Sequence, residues 1–120
     1  TGVTISPDEA NFDGNYTYNG SATGQYRRRT IVVGSFRPNA FGLSDMHGNV
    51  WEWVQDLWHE NYTGAPIDGS AWESGGDATR RVLRGGSWDD FPWNLRSANR
   101  GWSTPVIRNF NAGFRVARTF

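Results

Sequence analysis

Cysteine and lysine are both absent from this sequence. The lack of cysteine excludes disulfides, thiolate nucleophiles and sites for soft metals. Because lysine is missing, all twelve basic residues are arginines, which form forked hydrogen bonds to carboxylates and stack on aromatic rings. With seven Trp, seven Phe and four Tyr available, we expect cation–π contacts to be common.

Excess charge and long hydrophobic runs are also lacking. The formal net charge is zero, and the basic triplet at 27–29 stands alone, so we expect no nucleic-acid partner. The mean hydropathy is −0.66, and no run approaches the roughly 20 apolar residues that span a membrane. The sequence therefore predicts a soluble protein, cytoplasmic or surface-displayed, without a membrane partner.

The length allows one domain with a modest core, and regular structure is expected to be sparse. Residues 1–25 are rich in Gly, Asn, Ser, Thr and Asp, and Asn19-Gly20 favours a tight type I′ turn. Four segments are predicted to be short strands: 30–33, 50–58, 81–84 and 113–118. In the last of these, Phe114 and Val116 should face the core, while Arg115 and Arg118 face solvent.

The most unusual stretch is 38–56, which combines a Pro-Asn turn, aromatic residues and three carboxylates. Within it, Gly48-Asn49 forms a kink between Asp45 and Glu52, because glycine adopts positive φ without strain. One interpretation is that both carboxylates and the intervening carbonyls converge on a hard cation such as Ca²⁺. The other is that both acids accept backbone N–H groups in a tight loop.

Four motifs then indicate a family. They are Asn39-Ala-Phe-Gly-Leu, Asp45-Met-His-Gly-Asn-Val-Trp-Glu-Trp, Arg84-Gly-Gly-Ser-Trp and Gly113-Phe-Arg-Val. The residues of these motifs and their order along the chain resemble those of the formylglycine-generating-enzyme (sulfatase-modifying factor) superfamily. The resemblance implies an α+β, C-type-lectin-like fold that is loop-rich, with short antiparallel strands and little helix. It also implies that residues 1–120 form a single domain corresponding to the carboxyl-terminal portion of the family domain. The other half of that domain, or another chain, is then a candidate partner.

The resemblance also implies a structural calcium site. Matched residue by residue, it comprises the Asp45 and Glu52 side chains and the carbonyls of Gly48 and Val50. A second family calcium site begins at an Ala-Asn dipeptide, which matches Ala10-Asn11 here. Its later aspartate falls near Gly24 and Gln25, so the second site does not match.

The family's enzymes oxidise a substrate cysteine with copper held by two cysteines. The matching positions here are Asp90 and Leu95. A carboxylate is a hard ligand and leucine has no lone pair, so we expect no copper. Elsewhere, His59 with Asp56 and Glu60 is a weak candidate for a transition-metal site.

The stretch 88–112 alternates arginine, proline and alanine with aromatic, amide, hydroxyl and acidic residues, as recognition surfaces do. It is similar to the variable proteins of diversity-generating retroelements, a branch of the same fold. The resemblance implies ligand contacts from Asp89, Asp90, Phe91, Trp93, Asn94, Asn99, Trp102, Ser103, Thr104, Ile107, Asn109 and Phe110.

These observations predict four regions. They are an irregular part at 1–29, a core with the calcium loop at 30–88, a variable binding region at 88–112 and a closing strand at 113–120. The predicted function is non-catalytic binding of a protein or other macromolecular ligand. The alternative is a fragment of a formylglycine-generating oxidoreductase that lacks the copper-binding cysteines.

Overall fold

A four-stranded mixed sheet forms the regular part of the computed structural model, which describes residues 3–118. Strands β1 (Trp51–Trp58) and β2 (Asp77–Arg84) are antiparallel neighbours at its centre. The edges are β3 (Gly101–Ser103), antiparallel to β2, and β4 (Ala112–Gly113), parallel to β1. Within residues 3–118 the helical content is one 3₁₀ turn, Pro92–Leu95, and no helix there is long and apolar enough to cross a bilayer.

Both strands of the central pair, β1 and β2, overlap a strand that the sequence predicts. Aromatic and β-branched residues dominate β1, and the predicted strand at 50–58 is confirmed. The predicted strand at 81–84 is the second half of β2. Trp53 pairs with Leu83, and the register shifts before Leu57 pairs with Arg81. Such irregularities bend a strand and increase its twist, which suits a small curled sheet.

Two strand predictions are wrong. Residues 30–33 form no strand, and Val32 and Val33 are exposed. The closing strand ends at Gly113, and Phe114 and Val116 are 77% and 88% exposed rather than facing the core. Alternating residues predict a strand only where a partner strand supplies the hydrogen bonds, and β4 finds just two pairs on β1. Positions 119 and 120 of the predicted strand lie outside the described residues.

The main hydrophobic cluster is built from loops rather than from the sheet. It joins Ile5, Ala10 and Phe12 of the amino-terminal segment to Leu95 of the 3₁₀ turn, with Tyr18 packed against it. Among residues 3–29 the structure contains no helix and no strand, as predicted. The Asn19-Gly20 turn is also confirmed, since both residues have positive φ and the Ser21 amide donates to the Tyr18 carbonyl.

Asn49, which is buried, connects three separate segments at the start of β1. Its amide donates to the Asn11 carbonyl at 2.8 Å, and its carbonyl accepts from the Trp88 amide at 3.0 Å. Its side-chain oxygen accepts from the Ile31 amide at 2.9 Å and from Asn11 Nδ2 at 3.1 Å. Its Nδ2 also donates to the Ile31 carbonyl at 3.3 Å. Asn49 therefore holds these loops together through hydrogen bonds, as the hydrogen bonds between strands hold a sheet together.

Gly48 is required beside it for two reasons. Its φ is +78°, and a Cβ at this position would lie 2.3 Å from the Asn11 carbonyl oxygen. Any side chain must therefore push apart the two backbones that the Asn49 amide joins. Gly64 has a similar φ of +81°, but a Cβ there would have no heavy atom within 4 Å.

The two glycines make a matched pair of substitutions. Gly64→Ala should cost about 1 kcal/mol of unfolding free energy, the usual cost of a left-handed backbone for alanine. Gly48→Ala adds the backbone clash and should cost at least about 3 kcal/mol. Urea unfolding followed by tryptophan fluorescence measures both. Equal losses for the two variants would contradict the close packing of Gly48 on Asn11.

Candidate functional site

Three aromatic rings form an exposed group that we call the aromatic cluster: Tyr16, Phe91 and Trp93. Phe91 and Trp93 stack with ring centroids 4.7 Å apart, and Tyr16 meets them edge-on at 4.7 and 6.0 Å. Phe91 and Trp93 remain 38% and 41% exposed, and Tyr16 is also exposed. The rings hold one another in place while keeping a large apolar surface in contact with water.

A second aromatic group is centred on Trp88, which lies within the Ser87–Asp90 turn. Trp88 stacks on Tyr26 at 6.3 Å and contacts Phe110 at 5.9 Å. Trp88 is half-buried, whereas Phe110 is 76% exposed. Loss of solvent raises the pKa of the Tyr26 hydroxyl, and the carboxylates of Asp13 and Asp89 raise it further. The hydroxyl therefore stays protonated and can donate a hydrogen bond.

A hydrogen-bonded network between the two aromatic groups fixes the loop that carries them. The buried Ser87 hydroxyl lies within hydrogen-bond distance of Asp89 and Asp90, and the Ser87 amide donates to Asp90 at 2.9 Å. Asn94 donates to Asp90 and Asn111 to Asp89, each at 3.1 Å. Asp89, Asp90 and Asn94 thus use much of their hydrogen-bonding capacity inside the loop, where they position the neighbouring rings.

The remaining predicted contact residues differ in exposure. Trp102 is exposed, and the Arg80 guanidinium lies over its ring, with Cζ 4.2 Å from the ring centroid. Ile107 is exposed, and its amide donates to the Thr104 carbonyl in a turn. Ser103, in contrast, is buried.

Two amides in this region also serve the loop. Asn99 Nδ2 donates to the Asn94 carbonyl at 2.9 Å, and Asn109 Nδ2 approaches the Ser103 hydroxyl at 3.4 Å. The predicted set therefore divides into a displayed part, led by the aromatic rings, and a supporting part made of short polar side chains.

The two positions matched to the copper-binding cysteines have structural roles here. Leu95 is 1% exposed and packs in the hydrophobic cluster, and Asp90 binds Ser87 and Asn94. Neither residue is suited to copper, since one is apolar and buried and the other offers hard oxygens that are already hydrogen-bonded.

The four residues matched to the calcium site line one cavity of about 410 Å³, together with Arg115. Asp45 has a left-handed backbone with φ of 55°, and its carboxylate accepts the Gly34 amide at 2.6 Å. The Gly48 carbonyl accepts the Val50 amide at 3.0 Å. Asp45 therefore accepts a backbone N–H, as one interpretation from sequence expects, and it lines the same cavity as Glu52.

Arg115 is the cation that contacts this cavity. Its Nε and Nη2 each donate to one oxygen of Glu52 at 2.6 Å, and it also donates to the carbonyls of Ser44 and Asp45. The hydrogen bond to Glu52 raises the pKa of Arg115 above its usual value, outweighing the loss of solvent. Arg115 is exposed, as predicted, and it also pairs with Glu52 of β1. The oxygen donors suit a hard cation, but any such cation competes with Arg115 for Glu52.

The Ala10-Asn11 dipeptide lies in the core. Asn11 Nδ2 donates to the Arg29 carbonyl and to Asn49 Oδ1, while its own Oδ1 is buried without a hydrogen-bond partner. This unpaired oxygen is a single potential metal ligand, and Gln25 supplies no carboxylate as a second one. The residues present do not suit the second calcium site.

His59 is also accounted for by structure. Its two ring nitrogens lie 3.0 and 2.8 Å from the carbonyls of Leu57 and Ser74, and its ring stacks on Trp72 at 3.4 Å. Among residues 3–118 no three His, Cys, Asp or Glu side chains gather as metal ligands. The metal site considered for His59, Asp56 and Glu60 is therefore not formed.

Sequence reasoning missed two contributors to the candidate surface, Tyr16 and Tyr26. Both come from the irregular amino-terminal segment, more than 60 residues before the loop that they contact. The local sequence carries no signal for this contact, since it depends on how Phe12 and Asn11 anchor the segment.

Comparison with known proteins agrees with this geometry. Residues 4–120 match the family model described as the sulfatase-modifying factor enzyme 1-like domain. The formylglycine-generating enzyme of Streptomyces coelicolor is 39% identical over 93 residues, which are 73% of this chain and 29% of the relative. The chain belongs to the sulfatase-modifying factor enzyme 1-like family.

Two solved structures extend the comparison. PvdO from Pseudomonas aeruginosa has a TM-score of 0.74 and 44% identity over 89% of this chain and 38% of its own. Treponema denticola variable protein 1 has a TM-score of 0.63 and 32% identity over 89% of this chain and 34% of its own. These neighbours show the formylglycine-generating-enzyme type of C-type-lectin-like fold, and the resemblance to variable proteins is also supported.

The chain covers only a small part of its curated relatives, between 14% and 31% of their lengths. The family includes enzymes, among them formylglycine-generating enzymes and a hercynine oxygenase. Family membership therefore does not by itself define an activity for this chain.

Proposed function

We propose that this chain is a non-catalytic binding module that presents the aromatic cluster, with the exposed residues of 88–110, to a protein ligand. The observation that carries this proposal is the stack of Phe91 on Trp93. Both rings are about two-fifths exposed, and the hydrogen bond from Asn94 to Asp90 fixes the loop that carries them. Stacked rings in a fixed loop lose little conformational entropy when a ligand covers them.

The residue composition of this surface favours a protein as the ligand. Aromatic residues are enriched among the few side chains that dominate the energy of protein interfaces. Here the polar Ser87–Asp90 turn carries Trp88 and is followed directly by Phe91 and Trp93, so apolar anchors alternate with hydrogen-bonding groups. Protein interfaces commonly show this combination of an apolar centre and polar surroundings.

The supporting network argues against catalysis at the same place. A nucleophilic serine requires an accessible hydroxyl and a neighbouring base. Ser87 is 0% exposed, and its hydroxyl contacts two aspartates that are themselves part of the loop scaffold. Asp90 and Leu95 provide no ligand set for copper, which supports a role other than the copper-dependent oxidation of the family's enzymes.

Similarity to a variable protein supports the binding role. Treponema denticola variable protein 1 shares the fold over 89% of this chain. A scaffold whose loops are held by Asn49 and by the Ser87 network tolerates different side chains on the outer surface, because those side chains are not needed for folding.

A peptide library displayed on phage tests the proposal. Peptides selected on the parent chain should bind the Trp93→Ala and Phe91→Ala variants at least about 30-fold more weakly, which corresponds to roughly 2 kcal/mol for a hot-spot ring. Surface plasmon resonance of three or more selected peptides provides the affinities.

Phe114→Ala is the matched control, since Phe114 is an exposed aromatic residue outside this region. It should leave the affinities unchanged. Two results would reject the binding proposal: peptides that bind Trp93→Ala as tightly as the parent, or copper-dependent oxygen consumption by the parent chain with a cysteine-containing peptide.

We also propose that Asp45, Gly48, Val50 and Glu52 hold a structural calcium ion. Support comes from the fact that all four residues line one cavity and that two of them carry carboxylates. Calcium bound there would stabilise the loop between residue 45 and β1, and it would share or take Glu52 from Arg115.

Thermal unfolding in calcium, in magnesium and in a chelator tests the calcium site. At a free calcium concentration of about 100 times Kd, the parent should gain about 2.7 kcal/mol. Glu52→Gln should abolish the gain, and Asp8→Asn, which removes an exposed carboxylate elsewhere, should preserve it. Absence of any stabilisation at about 10 mM calcium, well above the Kd of the weakest calcium modules, would exclude the site.

A further inference from the structure

A cavity of about 420 Å³ lies between the 39–47 loop and the carboxyl end of β2. Arg84, Gly85 and Ser97 form one side, and Ala40, Phe41 and Met46 form much of the other. Its size falls within the range of small-molecule sites, roughly 300–1,000 Å³. It shares no residue with the aromatic cluster or with the proposed calcium ligands, so it is a separate feature of the molecule.

Arg84 is fixed in orientation and forms no ion pair with a carboxylate among residues 3–118. Its Nη1 donates to the Ser97 carbonyl at 2.8 Å and its Nη2 to the Tyr62 hydroxyl at 2.9 Å. Within residues 3–118 the ion pairs to carboxylates involve Arg80, Arg81 and Arg115. Both partners of Arg84 are neutral, so its full positive charge remains available.

A second arginine reinforces this charge. The Arg100 guanidinium lies between the rings of Trp58 and Tyr62, at 4.5 and 4.4 Å from their centroids. Tyr62 therefore contacts both arginines, one through its ring and the other through its hydroxyl. The one carboxylate in this group, Glu60, accepts from Trp58 Nε1 at 3.1 Å. The other carboxylate close by is Glu52, which lies opposite Arg84 in the sheet register and is paired with Arg115. Arg84 and Arg100 therefore leave two positive charges beside the cavity that are paired with no carboxylate in the described part of the chain.

The opposite wall of the cavity is mostly apolar, with Ala40, Phe41 and Met46 beside the polar residues Asn39 and His47. Phe41 is 88% exposed and Met46 is 38% exposed, although both are residues that usually gain from burial. None of the described residues that line the cavity carries a carboxylate. A ligand that fits must therefore combine an anionic group for Arg84 with an apolar body for Phe41 and Met46.

We propose that this cavity binds a small organic carboxylate with an apolar body, comparable in size to one or two amino-acid residues. A planar carboxylate matches the forked donors of a guanidinium, and Arg84 retains N–H groups beyond the two used by Ser97 and Tyr62. Charge complementarity selects the anionic end, and the Phe41–Met46 wall selects the apolar end. The proposal stands independently of the binding role assigned to the aromatic cluster.

Two probes isolate the charge of the ligand. N-acetylphenylalanine carries a carboxylate, and N-acetylphenylalaninamide has the same body with a neutral amide in its place. NMR titration of the parent chain should show saturable binding of the acid in the millimolar range, with shifts at Phe41, Met46 and Arg84. The amide should bind at least tenfold more weakly.

Three variants locate the site. Arg84→Gln should weaken binding of the acid at least tenfold, whereas Arg108→Gln, at an exposed arginine elsewhere, should not change it. Phe41→Ala should weaken binding of both probes, and its side chain is too exposed for the substitution to unfold the chain. Equal affinities for acid and amide would overturn the proposal. It would also fail if Phe41→Ala bound the acid like the parent, or if the acid did not bind.

Discussion

The hydrogen bonds of Asn49 are the constraint on which the rest of the structure depends. This buried amide joins the segment around Asn11, the segment around Ile31 and the turn at Trp88 through both its backbone and its side chain. Within residues 3–118, two of the four strands have three residues or fewer and the hydrophobic cluster is small, so other means of fixing long loops are few. Buried polar groups are costly when unpaired, so this arrangement also disfavours alternative loop positions.

Each candidate site is built outward from that centre. The Trp88 amide donates to the Asn49 carbonyl, and the loop that displays Phe91 and Trp93 begins at Trp88. In the other direction, the chain leaves Asn49 into β1, where Glu52 pairs with Arg115. Binding surfaces placed on loops require a rigid support, and here hydrogen bonds to side-chain amides and carboxylates supply it in place of a large sheet.

Local signals in the sequence account for part of this structure. Strand β1 and the Asn19-Gly20 turn follow from residue type and spacing. The contacts of Tyr16 with Phe91, and of Arg115 with Glu52, join residues 75 and 63 positions apart, which no local pattern encodes. The expected strand at 113–118 failed for a related reason, since alternation of side chains does not specify whether a partner strand is present.

Hydrogen–deuterium exchange of backbone amides tests the role of Asn49 most directly. The amides of Ile31, Asn49 and Trp88 lie outside the sheet or at its margin, and each takes part in the Asn49 network. If this network holds the fold together, the three amides should exchange as slowly as those in the centre of β1 and β2. Exchange of these amides orders of magnitude faster than in the two strands would show that the loops open independently, which would contradict the account.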